Sequence, residues 1–302
     1  MIKVIGAGIS GLILARRLAE KGEDVFVYEA SPNIGGLLYD YEENGFYVSD
    51  SGVHIFHTND KSVYEYIAQF GPFVAYNHIV SADVYGKDFA INFPPNKNNR
   101  LSEEEFKNLY YFYSLKQWGK MPPQEVLDRC KRKEDNCLYF FRDKYVALPY
   151  YGWTSVCHNI ANHKNIVMLY NKEFTLNDIN NGDIIYYSGR LDKLFNYKYG
   201  EMKYRSIEIV NSPEGEDNAN VLNKSLPDCK YTRVINWRRC SPQVSTQEDL
   251  YGYEYSRESL KEEIAPHYIV AGQDNIFEQY KQECSKYKLR SEERRVGKEC
   301  RS

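Results

Sequence analysis

Hydrophobic positions change their spacing several times along this chain, and each change predicts an element. Ile2–Ile5 is a short β-type run. From Leu12 the spacing lengthens, so that Leu12, Ala15, Leu18 and Ala19 share one helical face, and Lys21-Gly22 ends the pattern. Val25-Phe26-Val27-Tyr28 then reads as a second strand, closed by Glu29. Farther on, Phe106, Leu109, Tyr110 and Tyr113 fall at i, i+3, i+4 and i+7 of another helix. Ser102-x-x-Glu105 forms a capping box just ahead of it. The Pro-rich, charged stretch from Met121 to Lys133 has no apolar face and reads as a surface loop.

The first strand meets its helix through Gly6-Ala7-Gly8-Ile9-Ser10-Gly11, which makes the opening a βαβ unit with the dinucleotide-binding spacing. In such a unit Gly6 permits the turn, Gly8 lets the backbone approach a pyrophosphate, and Gly11 lets helix and strand pack closely. The helix N-terminus faces the phosphates with free N–H groups. Glu29 lies 18 residues past Gly11, where a carboxylate can accept hydrogen bonds from a ribose. The second diglycine, Ile34-Gly35-Gly36, looks like the FAD version of the motif and not the NAD version, so FAD is the expected cofactor.

Composition narrows the function further. The 302 residues are 42% hydrophobic and 27% charged, with no apolar run near the roughly 20 residues needed to cross a bilayer. A net charge of −3 argues against nucleic acid or an anionic membrane as partner, so phosphate recognition must come from placed arginines or backbone amides. The seven cysteines form no CxxC pair and no Cys/His cluster at metal spacing, which predicts free thiols and no metal site. A strand that begins at the first residues leaves no room for a signal peptide, and a cytoplasmic location is expected.

Later motifs point to one family. Gly52-Val53-His54-Ile55-Phe56-His57-Thr58 resembles the GPHIFHT segment of UDP-galactopyranose mutases, with Val53 in place of proline. Tyr113-Ser114-Leu115-Lys116-Gln117-Trp118-Gly119 resembles their YTIKQWG. Asp135-Asn136, Tyr139-Phe140 and Asp143-Lys144-Tyr145 follow their DNYF…DKY region, with Cys137-Leu138 inserted. Tyr204-Arg205-Ser206, Tyr231-Thr232-Arg233 and Glu254-Tyr255-Ser256-Arg257 follow in family order, and Pro266-His267-Tyr268 stands where the family has PYYP.

The resemblance implies an α/β fold: an FAD-binding Rossmann-type parallel sheet, a small helical insert and an antiparallel sheet domain. It places the FAD domain at 1–72, 150–195 and 265–289, the helical domain with a mobile flap at 97–135, and the substrate sheet at 73–96, 136–149 and 196–264. The implied reaction is the ring contraction of UDP-galactopyranose to UDP-galactofuranose, with N5 of the reduced flavin as nucleophile at the anomeric carbon. The protein's part is to hold the cofactor and the leaving diphosphate. Implied catalytic residues are His54, His57, Arg129 (or Arg132 in the alternative register), Arg205, Arg233 and Glu254. Implied substrate contacts are Tyr113 stacking on uracil, Ser114, Trp118, Tyr139, Asn223 and Tyr268. Gly6, Gly8, Ser10, Gly11, Glu29, Gly35, Gly36 and His54 would meet the cofactor.

Two departures from the family pattern leave other readings in play. The helical segment before the KQWG motif is short, which leaves the oligomeric state open. Residues 290–302, RSEERRVGKECRS, break with the composition upstream and resemble a translated sequencing adapter. On that reading the natural chain continues past Leu289 and the family's closing strand is missing. The competing functions are an amine-oxidase-like flavoenzyme, or a truncated fragment that binds flavin without turnover.

Overall fold

The computed structural model describes residues 1–85, 88–121, 135–216, 219–270, 272–287 and 289–291. Strand β1 (Ile2–Ile5), helix α1 (Ile9–Glu20) and strand β2 (Val25–Tyr28) open the chain. The middle carries β3 (Tyr41–Glu43), β4 (Phe46–Val48), β5 (Phe56–Thr58), α2 (Lys61–Ile67), β6 (Phe73–Ala75), β7 (Val80–Asp83) and β8 (Ala90–Asn92). Then come α3 (Glu103–Trp118), β9 (Tyr145–Pro149), α4 (Gly152–Ala161), β10 (Ile166–Leu169), β11 (Ile184–Tyr187) and α5 (Leu191–Leu194). The chain closes with β12 (Tyr204–Ser212), β13 (Val221–Asn223), β14 (Arg233–Asn236), α6 (Trp237–Cys240), β15 (Tyr251–Glu258), β16 (Tyr268–Ile269), α7 (Asp274–Lys286) and β17 (Leu289–Ser291).

These elements divide into two compact units. Among the described residues the first takes in 1–39, 153–205 and 259–291, and the second 40–152 and 206–258. The first unit is built on a parallel sheet in the order β10-β2-β1-β11-β17. Its central strand pairs on both sides, Ile2 with Val25 and with Ile184. A strand covered on both faces must be apolar throughout, and β1 is buried along its whole length. The exception in kind is Lys3, whose ammonium is 2.6 Å from Asp183 and donates to the Asp178 carbonyl at 2.5 Å. Helix α1 turns Gly11, Leu12, Ala15 and Ala19 inward, as the helical spacing predicts. On the other side of the chain Ile5, Ile185, Leu191, Phe195, Met202, Phe277 and Tyr280 share one core. Strand β17 takes in Arg290 and Ser291, the first residues of the segment that the composition sets apart. Residues 292–302 lie outside the described residues.

The second unit contains the run of paired strands β12-β15-β14-β13-β7-β8, with β12 belonging to it from Ser206 onward. Antiparallel pairing holds β8 to β7, β13 to β14 and β14 to β15, whereas β13 runs parallel to β7. Phe46, Val48, Val80, Val221, Ile235 and Trp237 form one core of this unit. Leu109 of α3 packs with Ala82, Val84, Ile91 and Leu101 in another, with Tyr110 against it. The capping box forms as read: the Ser102 hydroxyl accepts from the Glu105 amide, and the Glu105 carboxylate accepts from the Ser102 amide. A separate three-stranded sheet, β5-β9-β6, carries the histidine segment.

Candidate functional site

The first unit brings its glycines together around the start of α1. Gly6 holds a left-handed φ of +101°, and a Cβ there would lie 2.3 Å from the Ser188 hydroxyl. A Cβ on Gly11 would lie 2.1 Å from the Gly6 carbonyl oxygen, so this glycine allows the helix to touch the turn. Gly8 differs, because a Cβ built there meets nothing within 4 Å. The protein thus leaves open space at the start of α1, where the first-turn amides have no intrahelical acceptor. No acidic residue occupies that turn, and Ser10 is exposed beside it. The second diglycine closes on the same place, with Gly35 bridged to Gly8 and the Gly35 amide donating to the Ala7 carbonyl at 2.9 Å.

Glu29 is buried at the end of β2. Its Oε2 accepts from the Ala7 amide at 2.7 Å and its Oε1 from the Ser31 amide at 2.8 Å. Each oxygen of a carboxylate has two acceptor positions, so each oxygen of Glu29 could accept one more hydrogen bond. Arg205 is also in this unit, buried at the start of β12. Its backbone pairs with Tyr268, and its carbonyl accepts from the His267 amide at 3.0 Å. The Tyr268 side chain lies outside the description.

The second unit supplies a row of polar side chains through strand register. Asn223 of β13 is paired with Arg233 of β14, and Arg233 with Glu254 of β15. Directly opposed residues point to one face, so the three project together. The Arg233 guanidinium lies 3.3 Å from Glu254 Oε2 and donates from Nε to the Tyr113 hydroxyl at 2.8 Å. The Tyr113 ring centroid is 5.7 Å from the same guanidinium. Glu254 is buried, and its Oε1 accepts from the Thr232 hydroxyl at 2.8 Å. Gly52 opens the histidine segment beside this row, since a Cβ there would lie 3.7 Å from Glu254 Oε2.

His78 is buried, and burial first and the positive Arg233 second push it down from 6.5 to about 4. Neutral His78 is bonded through Nδ1 to the Tyr76 hydroxyl at 3.2 Å, which in turn accepts from Asn220 at 2.8 Å. Lys116 braces the helix that carries Tyr113. Its ammonium donates to the carbonyls of Lys224, of Leu226 at 3.0 Å and of Tyr231 at 3.3 Å, and burial pushes its pKa down. Ser256 of β15 ties down the same motif by donating to the Gln117 carbonyl at 2.6 Å.

The remaining expected residues fall as follows. Ser114 and Asn223 are buried, Tyr139 is exposed and bridged to Ile79, and Trp118 ends α3. His54 is half-buried, and His57 of β5 bonds through Nδ1 to Asp143 at 2.9 Å. Arg129 and Arg132 lie outside the described residues. The structure therefore brings Tyr113, Asn223, Arg233 and Glu254 together. Thr232, His78 and Lys116 join this row, and Asp143 joins His57, without having been singled out for a role. Thr232, Lys116 and Asp143 stand inside quoted motifs, which was the signal available. Among the described residues no group of His, Cys, Asp and Glu could hold a metal ion, and no helix is long and apolar enough to cross a membrane.

Comparison with known proteins decides the family. Residues 108–298 match the family model described as UDP-galactopyranose mutase. The chain belongs to the UDP-galactopyranose mutase family. Residues 4–70 of this mutase-family chain match a second model, an NAD(P)-binding Rossmann-like domain. It is 27% identical to a probable UDP-galactopyranose mutase of Klebsiella pneumoniae, over 92% of this chain and 84% of that one. It is equally 27% identical to a dTDP-fucopyranose mutase of Escherichia coli, over 93% of this chain and 88% of that one. A crystal structure of reduced UDP-galactopyranose mutase shares the fold, with a TM-score of 0.76 at 14% identity, covering 96% of this chain and 87% of that one. The expected fold, a Rossmann-type parallel sheet with helical and antiparallel parts, is the one this mutase-family chain has.

Proposed function

We propose that this chain is an FAD-dependent mutase that interconverts UDP-galactopyranose and UDP-galactofuranose. The observation that carries the reading is the register-built row of Asn223, Arg233 and Glu254, joined to Tyr113, in a chain of this family. The glycine cradle fits the diphosphate of a dinucleotide: the space above Gly8 is open, and the α1 N-terminus is free of acidic side chains. Glu29, anchored by two amides, fits its ribose. When bound, reduced flavin would supply the nucleophilic nitrogen for the anomeric carbon.

The chain's own residues then have separable tasks. Arg233 offers a fork of N–H donors to the substrate diphosphate, whose negative charge grows as it leaves the sugar. Glu254 and Tyr113 fix that fork from two sides, so little reorganisation is needed when the charge develops. Tyr113 uses its hydroxyl on Arg233 and keeps a ring face for a uracil base. Arg205, Tyr268 and Arg129 add further donors to the diphosphate. His54 and His57 serve at the sugar and flavin.

The test is direct. The purified chain is mixed with FAD, freed of excess, reduced with dithionite and incubated with UDP-galactopyranose or dTDP-fucopyranose. The reading expects a retained flavin band and conversion of the uridine substrate to its furanose form, separated by ion-pair chromatography. Conversion of the thymidine substrate alone would replace the substrate assignment. A flavin-loaded, reduced protein that converts neither would remove the mutase reading.

A further inference from the structure

We propose that Asp143 is a positioning residue that holds His57 in its Nδ1–H tautomer, so that Nε2 is kept as an unprotonated acceptor. The inference rests on the reading above only in placing His57 at the reacting sugar. His57 lies on β5, which pairs antiparallel with β9, His57 opposite Val146. That pairing brings Asp143, just ahead of β9, to the imidazole although 86 residues separate them. Asp143 Oδ2 is 2.9 Å from Nδ1. A carboxylate only accepts hydrogen bonds, so Nδ1 must carry the proton.

Three further contacts show that the arrangement is built. The imidazole stacks on Phe141, with centroids 4.1 Å apart and planes at 25°, which fixes the ring plane. Asp143 Oδ1 accepts from Asn59 Nδ2 at 2.6 Å, which fixes the carboxylate. Asn59 Oδ1 accepts from the Lys144 amide at 2.9 Å, which fixes the orientation of the Asn59 amide group. The chain Lys144–Asn59–Asp143–His57 therefore converges on the carboxylate: Lys144 donates to Asn59 and Asn59 to Asp143, while His57 donates to Asp143 from the other end. At its end Nε2 has no partner among the described residues, on a side chain that is one-third exposed.

The same directionality yields a sharp test. In Asp143→Asn, Asn59 still presents its NH2, so the new amide must turn its oxygen to Asn59 and its own NH2 to His57. His57 Nδ1 then becomes the acceptor, and the proton moves to Nε2. The readout is the tautomer itself: two-bond proton–nitrogen correlation spectra of 15N-histidine-labelled full chain at pH 8, with His57 identified by its loss in His57→Gln. The proposal expects Nδ1–H in the unsubstituted chain and Nε2–H in Asp143→Asn. It also expects kcat to fall about 100-fold in Asp143→Asn while KM changes less than about threefold. A proton on Nε2 in the unsubstituted chain overturns the proposal, and this spectrum decides the point even where the variant fails to fold. Tautomer inversion with unchanged kcat overturns the catalytic part. A chain with the expected tautomer and no mutase activity at all would instead remove the functional reading and leave the Asp143–His57 assignment standing.

Discussion

Two glycines three residues apart should fail in opposite ways when each is given a methyl group. In Gly11→Ala the new Cβ would lie 2.1 Å from the Gly6 carbonyl oxygen. Carbon–oxygen contacts need about 3 Å, so helix and turn must separate by roughly 0.9 Å, and neither partner is a flexible side-chain tip. Overpacking of this kind costs about 1–3 kcal/mol. At about 2–4 °C per kcal/mol for a chain of this class, the melting temperature should drop by roughly 2–12 °C. In Gly8→Ala the backbone sits at φ −70° and ψ 168°, open to any L residue, and the new Cβ meets nothing. The fold should be unchanged, or firmer by about 0.4–1 kcal/mol because the unfolded chain is less free.

On the proposed function, the methyl of Gly8→Ala nevertheless occupies the space that the dinucleotide would use. A steric penalty of about 1–3 kcal/mol corresponds to roughly 5–150-fold weaker binding. Thermal unfolding followed by circular dichroism and titration with FAD followed by flavin fluorescence separate the two effects. The fold glycine and the ligand glycine have been confused here if Gly8→Ala melts as low as Gly11→Ala. The cradle itself is misplaced if Gly8→Ala binds FAD as tightly as the unsubstituted chain.

Arg233→Met should lower kcat/KM by about 100-fold or more, whereas Tyr113→Phe, which keeps the ring, should cost less than about tenfold. Steady-state assays of both variants check this, and an equal loss would show that the Tyr113 ring face is not what the substrate uses. Lys116→Met strands three carbonyls that now share one ammonium, and urea unfolding should register about 1–3 kcal/mol. An unchanged midpoint would show that water replaces the cation without cost. His78 makes stability depend on pH. Its folded value near 4 lies below the ordinary 6.5, so the unfolded chain binds the extra proton. Stability is then lost as pH falls from about 6.5 to 4, by about 3 kcal/mol. Urea unfolding at several pH values should show that slope flattened in His78→Gln.

What could be read from the sequence was what is local. The β1-α1-β2 unit lies within 28 residues, and its periodicity, glycines and closing acid are consecutive signals. The Ser102/Glu105 box is likewise set by a spacing of three. The polar row is of another kind. Arg233 and Glu254 could be named from motifs, but their adjacency depends on the register of β14 against β15, which hydrophobic spacing does not encode. Asp143 and His57 meet only because β5 and β9 pair across a long excursion. The bracing role of Lys116 depends on a loop 108 to 115 residues farther on. A first domain assembled from three stretches of chain came only with the family resemblance, because no spacing encodes it.

That interleaving sets a clock on biosynthesis. Strand β1 needs β11 as its second neighbour, and Ile2 meets Ile184 only after some 180 residues have followed it. At about 5–20 residues per second a ribosome takes roughly 10–40 s to cover that distance. Throughout that interval one edge of the nascent sheet is open, and the residue at its centre is Lys3. The charge that later finds Asp183 in the closed sheet is, until then, the feature that discourages a second nascent chain from pairing there.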